Sequence, residues 1–130
     1  MAFLLDTPSV AEILRTVPSR ALVRHLSETP TRERWTSVIT VTQLLVTARR
    51  SNQARLMQDV VQVVAAMRVA PFDMAAAQVF AKFRAGPAAD LDADDVMIAA
   101  IALSAKYTLV TKRTSAFSVF TGLRVENWFV

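Results

Sequence analysis

The side chains able to do chemistry in this sequence are few, and nearly all are carboxylates. There is no cysteine, which removes a thiolate nucleophile, a disulfide framework and any Cys-based zinc or iron–sulfur site. His25 is the sole histidine, so His-rich metal sites and Ser/His/Asp chemistry are close to excluded. What remains is a set of eleven acids. Four of them, Asp90, Asp92, Asp94 and Asp95, fall within six residues, and another, Asp6, directly follows the apolar run 2–5. A hard dication such as Mg²⁺ takes oxygen ligands, keeps several waters and commonly uses one or two carboxylates together with a substrate phosphate. Fifteen Lys and Arg give a net charge of +4, and setting aside the four clustered acids leaves seven against fifteen. A basic body around one acidic spot suits a polyanion held by cations while carboxylates hold a metal at the reacting phosphate. A solvated, Arg-rich surface accounts for the same balance on simpler grounds.

Such groups act only if the fold brings them together. At 130 residues and 53% apolar composition, the chain is read as one domain with one hydrophobic core, far from the composition of a disordered segment. Residues 2–5 read as a buried strand ending on Asp6, followed by a helix with Ala11, Ile13 and Leu14 on its apolar face. Pro18 fits the first turn of a second helix reaching Leu26. A polar loop spans 28–34, and the β-branched and aromatic residues 35–39 predict the second strand. Thr40 or Thr42 is the expected cap of a helix carrying Gln43, Leu44, Leu45 and Val46. The clearest helix covers 51–67, where Met57, Val60, Val61 and Val64 share one face and Ser51 is the expected N-cap.

Residues 68–72 read as a third strand, and Asp73 as the cap of a helix through about Arg84. Gly86-Pro87 is the strongest break in the chain. Residues 92–105 predict a nearly fully buried helix that opens with carboxylates. Strands at 107–111 and 123–126 follow, with a small turn or helix around 115–120 between them. Strands alternating with helices predict an α/β fold, a parallel sheet of about five strands covered on both faces. The longest uncharged run, 35–48, is too short to span a bilayer and carries four threonines, and the opening residues lack a basic leader. The chain is therefore expected to be cytoplasmic, with no membrane partner.

In an open parallel sheet, ligands bind outside the carboxyl ends of the strands, where the strand order reverses. Asp6 ends the first strand, Gln43 lies early in the helix after the second, and Asp92, Asp94 and Asp95 open the helix before the fourth. Thr111 and Lys112 end that fourth strand. A carboxylate from the first strand can thus meet one from the late helix.

At these residues the sequence resembles the PIN domains, and in particular the VapC-like toxins. The likeness runs over almost the whole chain. Residues 3–7, ending on Asp6-Thr7, resemble the family's first strand and first acid. Residues 35–45 are similar to its second strand and the helix that normally carries a glutamate. Residues 95–102 are similar to the helix bearing the next acid, and 109–111 with Phe117 and 122–128 resemble the C-terminal signature. No segment is specific alone; their order and spacing are.

The resemblance implies a divalent-metal-dependent endoribonuclease using Mg²⁺ or Mn²⁺, a homodimer, and a small antitoxin partner that blocks the acidic pocket. In that family a metal-activated water attacks the RNA phosphodiester, the metal lowering the water's pKa and stabilising phosphoryl charge. Carried over residue by residue, Asp6 and Asp95 match family acids as catalytic and metal-binding groups. Gln43 stands where glutamate is expected, with Asp92 as a further candidate metal ligand. Lys112 and Arg113 are candidate RNA contacts, as are Arg49 and Arg50. The sequence departs from the family pattern at Gln43, at Arg113 where Asn or Asp is usual, at Ala116 in place of an aspartate, and at Pro8 in place of an asparagine.

Each departure has a physical consequence. Gln43 removes a negative charge from a site that must hold a dication, and Arg113 adds a positive one that either disfavours metal or holds an RNA phosphate. The expected outcome is a weakened metal site. Plainer roles stand beside the functional ones: Asp6 as a helix cap, and Asp90, Asp92 and Asp94 as capping or solvated acids at a helix start. A PIN-like module that binds RNA or a protein without cutting is the alternative function. A phosphoacceptor receiver domain ranks last, because Pro8 and Ser9 do not supply its carboxylate pair after the first strand.

Overall fold

The computed structural model describes residues 1–130. Five short strands form one parallel sheet: β1 (Phe3–Leu5), β2 (Arg34–Ser37), β3 (Arg68–Ala70), β4 (Thr108–Val110) and β5 (Val125–Glu126), in the order β3-β2-β1-β4-β5. Six helices connect them: α1 (Thr7–Ile13), α2 (Arg20–Glu28), α3 (Val38–Ser51), α4 (Ala54–Ala65), α5 (Met74–Arg84) and α6 (Ala93–Ala105). Single turns of 3₁₀ helix lie at Thr31–Glu33 and Thr114–Phe117. The expected α/β architecture is the observed one. From β1 the chain builds outward through β2 to β3, then returns to place β4 on the other side of β1. The order therefore reverses between β1 and β4, whose register pairs Leu5 with Val110.

Buried on both faces, the central strands alternate their side chains between two cores, one on each side of the sheet, where a single core was expected. Leu4 and Leu109 pack with Val96, Ile98 and Ile101 of α6, Phe83 of α5, Phe117 and Phe120. Leu5 and Val110 pack with Val10, Leu22, Leu44, Val60 and Trp128 on the opposite face. This alternation is the period-two rule of a strand covered by helices on each side. Helix α6 is apolar all round its middle, with Val96 and residues 98–102 buried, because it is sandwiched between the sheet and α5.

Element boundaries differ from expectation where a polar side chain claims a backbone amide. The second strand stops at Ser37, not Ile39, because the Ser37 hydroxyl accepts a hydrogen bond from Thr40 N at 3.0 Å and starts α3 at once. Neither Thr40 nor Thr42 is the cap. Ser51 does not start a helix; it closes α3, its hydroxyl donating to Ala48 O at 2.6 Å. Asn52 then adopts a left-handed conformation (φ 55°), a turn that asparagine tolerates, and α4 begins only at Ala54. Pro18 lies outside α2, whose first amides are met by the Ser19 hydroxyl. The third strand is cut short by Pro71, which supplies no N–H to a ladder. As expected, Asp73 caps α5 through a 3.0 Å bond from Ala76 N.

Helices α1 and α2 are fastened by Glu12, whose carboxylate accepts from Ser19 N at 2.8 Å and from Arg15 at 3.2 Å. Partial burial pushes this carboxyl up, but the Ser19 amide and the Arg15 guanidinium outweigh it and hold it below the ordinary value of 4.5. A carboxyl lowered in the folded state stabilises the fold above its unfolded-state value and loses that contribution as pH falls through the folded-state value. Glu12→Gln is therefore expected to be less stable than wild type at neutral pH, with the two converging in the acid range below 4.5. Urea melts at several pH values check this. A gap that stays constant down to the acid limit would contradict it.

Candidate active site at the strand ends

Asp6 is the residue immediately after β1, and its two oxygens have different tasks. Oδ1 caps α1, accepting from Ser9 N at 3.0 Å and from the Ser9 hydroxyl at 2.6 Å. Oδ2 is buried without any hydrogen-bond partner, although the whole residue is 0% exposed. The capping role and the site role are thus both visible in one side chain. The backbone N–H of Asp6 donates to Val110 O at 3.1 Å, which ties the residue to the crevice between β1 and β4.

Asp95 lies in the first turn of α6, held over the same crevice. In the segment leaving β4, Arg113 N donates to Thr111 Oγ1 at 3.0 Å. The Arg113 guanidinium grips Asp95 with both ends: Nη1 donates to Oδ2 at 3.0 Å and Nη2 to Oδ1 at 2.9 Å. The same Nη2 lies 3.6 Å from the orphaned Oδ2 of Asp6. Phe117 supports the guanidinium from one side, 5.5 Å from ring centre to Cζ. Hydrogen bonding to Asp95 pushes the Arg113 pKa above its ordinary value despite partial burial, and the charges of Asp95 and Asp6 add to the effect. The arginine is therefore a permanent cation between two carboxylates.

Gln43, on α3, faces the other wall. Its carbonyl accepts from the Thr7 hydroxyl, and its amide donates to Asp94 Oδ2. Thr7 is linked in turn to Thr40, hydroxyl to hydroxyl, at 3.0 Å, and the Ser37 hydroxyl lies 3.3 Å beyond. A polar chain therefore runs from the cap of α3 to the first turn of α6, fixing the amide so that its donor faces a carboxylate. Asp92 is exposed and caps α6, accepting from Asp94 N at 2.8 Å. Gln43, Thr7 and the α6 acids line an open cleft of about 740 Å³ with Arg113, Thr42, Thr47 and Arg50, while Asp6 lies fully buried behind Arg113 and does not line it.

The structure brings together Asp6, Asp95, Gln43 and Arg113, and places Asp92 at the cleft's edge as a cap. It does not bring Lys112 with them: that side chain points away, over the Phe129 ring at 5.6 Å. Asp94 and Thr7 are the site residues whose part the sequence did not make plain. Thr7, a hydroxyl beside the strand-end acid, was the available signal.

These residues do not fit a resident divalent ion. No group of three or more His, Cys, Asp or Glu is arranged to hold a metal. Of the two carboxylates that converge, Asp95 is fully engaged by Arg113, and Nη2 occupies the place between it and Asp6. The Gln43 carbonyl is committed to Thr7. A dication there would meet a guanidinium at van der Waals distance.

Residues 3–118 match the family model described as the PIN domain. The chain belongs to the PIN domain family. Solved structures agree: FitAcB from Neisseria gonorrhoeae is 25% identical with a TM-score of 0.85, and DNA-bound VapBC from Salmonella typhimurium is 25% identical with 0.84, each covering 98% of both chains. VapBC-1 from nontypeable Haemophilus influenzae, at 20% identity, shares the fold over 100% of both chains with a TM-score of 0.88. No curated protein matches the sequence. PIN domains in general work with divalent metals; at the strand ends of this chain a guanidinium lies between the two converging carboxylates.

The amide at position 43 matters for stability as the structure stands. Gln43→Glu replaces a donor facing Asp94 with a second carboxylate. It is expected to cost about 1–3 kcal/mol in metal-free buffer at neutral pH, the cost of an unmet polar group plus like-charge repulsion. Adding Asp94→Asn should return most of it. Denaturant melts of both variants test this; a Gln43→Glu protein as stable as wild type would contradict the assigned contact.

Proposed function

We propose that this VapC-like PIN domain binds RNA in the strand-end cleft without efficient hydrolysis, and that a small antitoxin-type protein is its partner. One observation supports the first part above the others: the guanidinium of Arg113 is bidentate on Asp95 and 3.6 Å from Asp6, so the charge that hydrolysis would draw on is already neutralised. RNA is the target class that fits a basic body, with Arg49 and Arg50 in the last turn of α3 and Arg50 on the cleft rim. Lys112 is exposed but lies over the Phe129 ring outside the cleft, so it is not among the contacts of this reading. Under this reading Asp6 and Asp95 are partners of Arg113 rather than metal ligands.

The partner proposal rests on the company of the fold: FitAB and VapBC assemblies are its structural neighbours, and some of those are DNA-bound. A homodimer in the cytoplasm is part of the same proposal. No helix is long and apolar enough to cross a membrane.

A second reading, a weak Mg²⁺- or Mn²⁺-dependent endoribonuclease with Asp6, Asp95 and Gln43 as its catalytic set, is favoured by a different observation. Asp6 and Asp95 still converge at the point where the strand order reverses.

Fluorescence anisotropy with labelled single-stranded RNA in chelator separates these readings from no function at all. Affinity is expected to fall with salt, and Arg50→Ala to reduce the log–log slope by about 0.7, one phosphate contact on a single strand. Absence of RNA binding at low salt would overturn the proposal. The same RNA incubated with Mn²⁺ decides between the readings: no Asp6-dependent product is expected, and cleavage that Asp6→Asn abolishes would establish the second reading instead.

A further inference from the structure

We infer that Arg113 is the resident cation of this site: a guanidinium tethered to the chain takes the position between Asp6 and Asp95 and thereby excludes a divalent ion, and its removal uncovers a latent divalent-cation site. The inference deepens the proposal of binding without efficient hydrolysis and rests on that reading of the site. Its first support is one nitrogen. Arg113 Nη2 is 2.9 Å from Asp95 Oδ1 and 3.6 Å from Asp6 Oδ2, so one nitrogen of the delocalised cation lies between carboxylates from two ends of the chain.

The second support is independent of the arginine's hydrogen bonds. Asp6 Oδ2 is fully buried, accepts no hydrogen bond, and faces this position. A buried carboxylate oxygen without a donor is costly unless a charge lies close by. Arg113 meets that need only in part, since 3.6 Å is too long for a hydrogen bond. The oxygen is therefore better served by a ligand that could sit directly on it. Asp95 would supply a second anionic oxygen once freed, with water completing the coordination. Oxygen ligands of this kind select a hard divalent cation.

Competition between the two cations is weighted towards the arginine by covalent linkage. A tethered guanidinium forfeits no translational freedom when it binds, whereas a free ion must be drawn from solution and lose part of its hydration shell. The exclusion is also electrostatic: an ion approaching Asp6 while Arg113 remains would meet a like charge within a few ångströms. Ala116 contributes by omission, because no acid from the 3₁₀ turn Thr114–Phe117 reaches in to tip the balance back.

The test needs no RNA, so it stands or falls separately from RNA binding. Calorimetric titration with Mn²⁺ alone is run on wild type, Arg113→Ala, Arg113→Gln, and Arg113→Gln combined with Asp95→Asn. Thermal melts with and without Mn²⁺ run in parallel. Wild type is expected to show no saturable binding and no Mn²⁺-dependent rise in Tm. Both single variants should bind Mn²⁺ at least about tenfold tighter than wild type, with Tm lowered in chelator and raised by Mn²⁺. The double variant should lose that binding. Arg113→Gln keeps the side-chain length without the charge, so a folded protein is available if Arg113→Ala is not. Equal Mn²⁺ binding by wild type and the single variants would overturn the inference, as would failure of folded Arg113→Gln to bind.

Discussion

A buried carboxylate needs a neighbouring positive charge, and at Asp6 everything around the strand ends follows from that need. The residue cannot be moved to water, because it ends the central strand of the sheet and caps α1 with its other oxygen. Some cation must therefore reach it. In this chain the cation is Arg113, delivered by the segment leaving β4 and held in place by Asp95 from the first turn of α6. Three elements distant in sequence are joined at one guanidinium. The Arg113–Asp95 pair is partly open to water on both sides, so its own value to stability is small, about 1 kcal/mol; its consequence for the ligand that can enter is large.

The parallel sheet makes this meeting unavoidable. With β1 central and the strand order reversing between β1 and β4, residues after both strands face one crevice, and α6 opens directly over it. Two separate apolar cores hold the helices against the sheet, one on each face, so the crevice walls are set by packing and not by the polar groups themselves. The polar chain from Ser37 through Thr40 and Thr7 to Gln43 and Asp94 then aligns α3 with α6. A glutamine suits that chain better than a glutamate would, because an amide can donate to Asp94 while accepting from Thr7.

Much of this was legible in the residues. Strand and helix order, the Asp73 cap, the break at Gly86-Pro87 and the arrival of Asp6 and Asp95 at one edge all follow from local patterns and the topology they imply. A helix boundary at Ser51 was legible, but its sense was not: a serine in a polar stretch reads as the cap that opens α4, whereas its hydroxyl bonds back to Ala48 O and closes α3, and the left-handed turn at Asn52 follows. Ser37 was hidden in a β-branched run that reads as strand until the cap is seen. The opposite directions of Lys112 and Arg113 were equally out of reach: adjacent residues leaving a strand point to opposite sides, and which side holds the acid is a tertiary fact. Gln43 was visible as a departure from a family pattern, but its commitment to Thr7 and Asp94 depends on how α3 meets α6.

The central claim is that a guanidinium occupies the cation position of a PIN domain. Anomalous scattering from a crystal of the wild-type protein soaked in Mn²⁺ addresses it most directly. The account predicts continuous density for Arg113 reaching both Asp95 oxygens and no anomalous peak between Asp6 and Asp95. A manganese peak coordinated by both carboxylates, with Arg113 turned out to solvent, would contradict it.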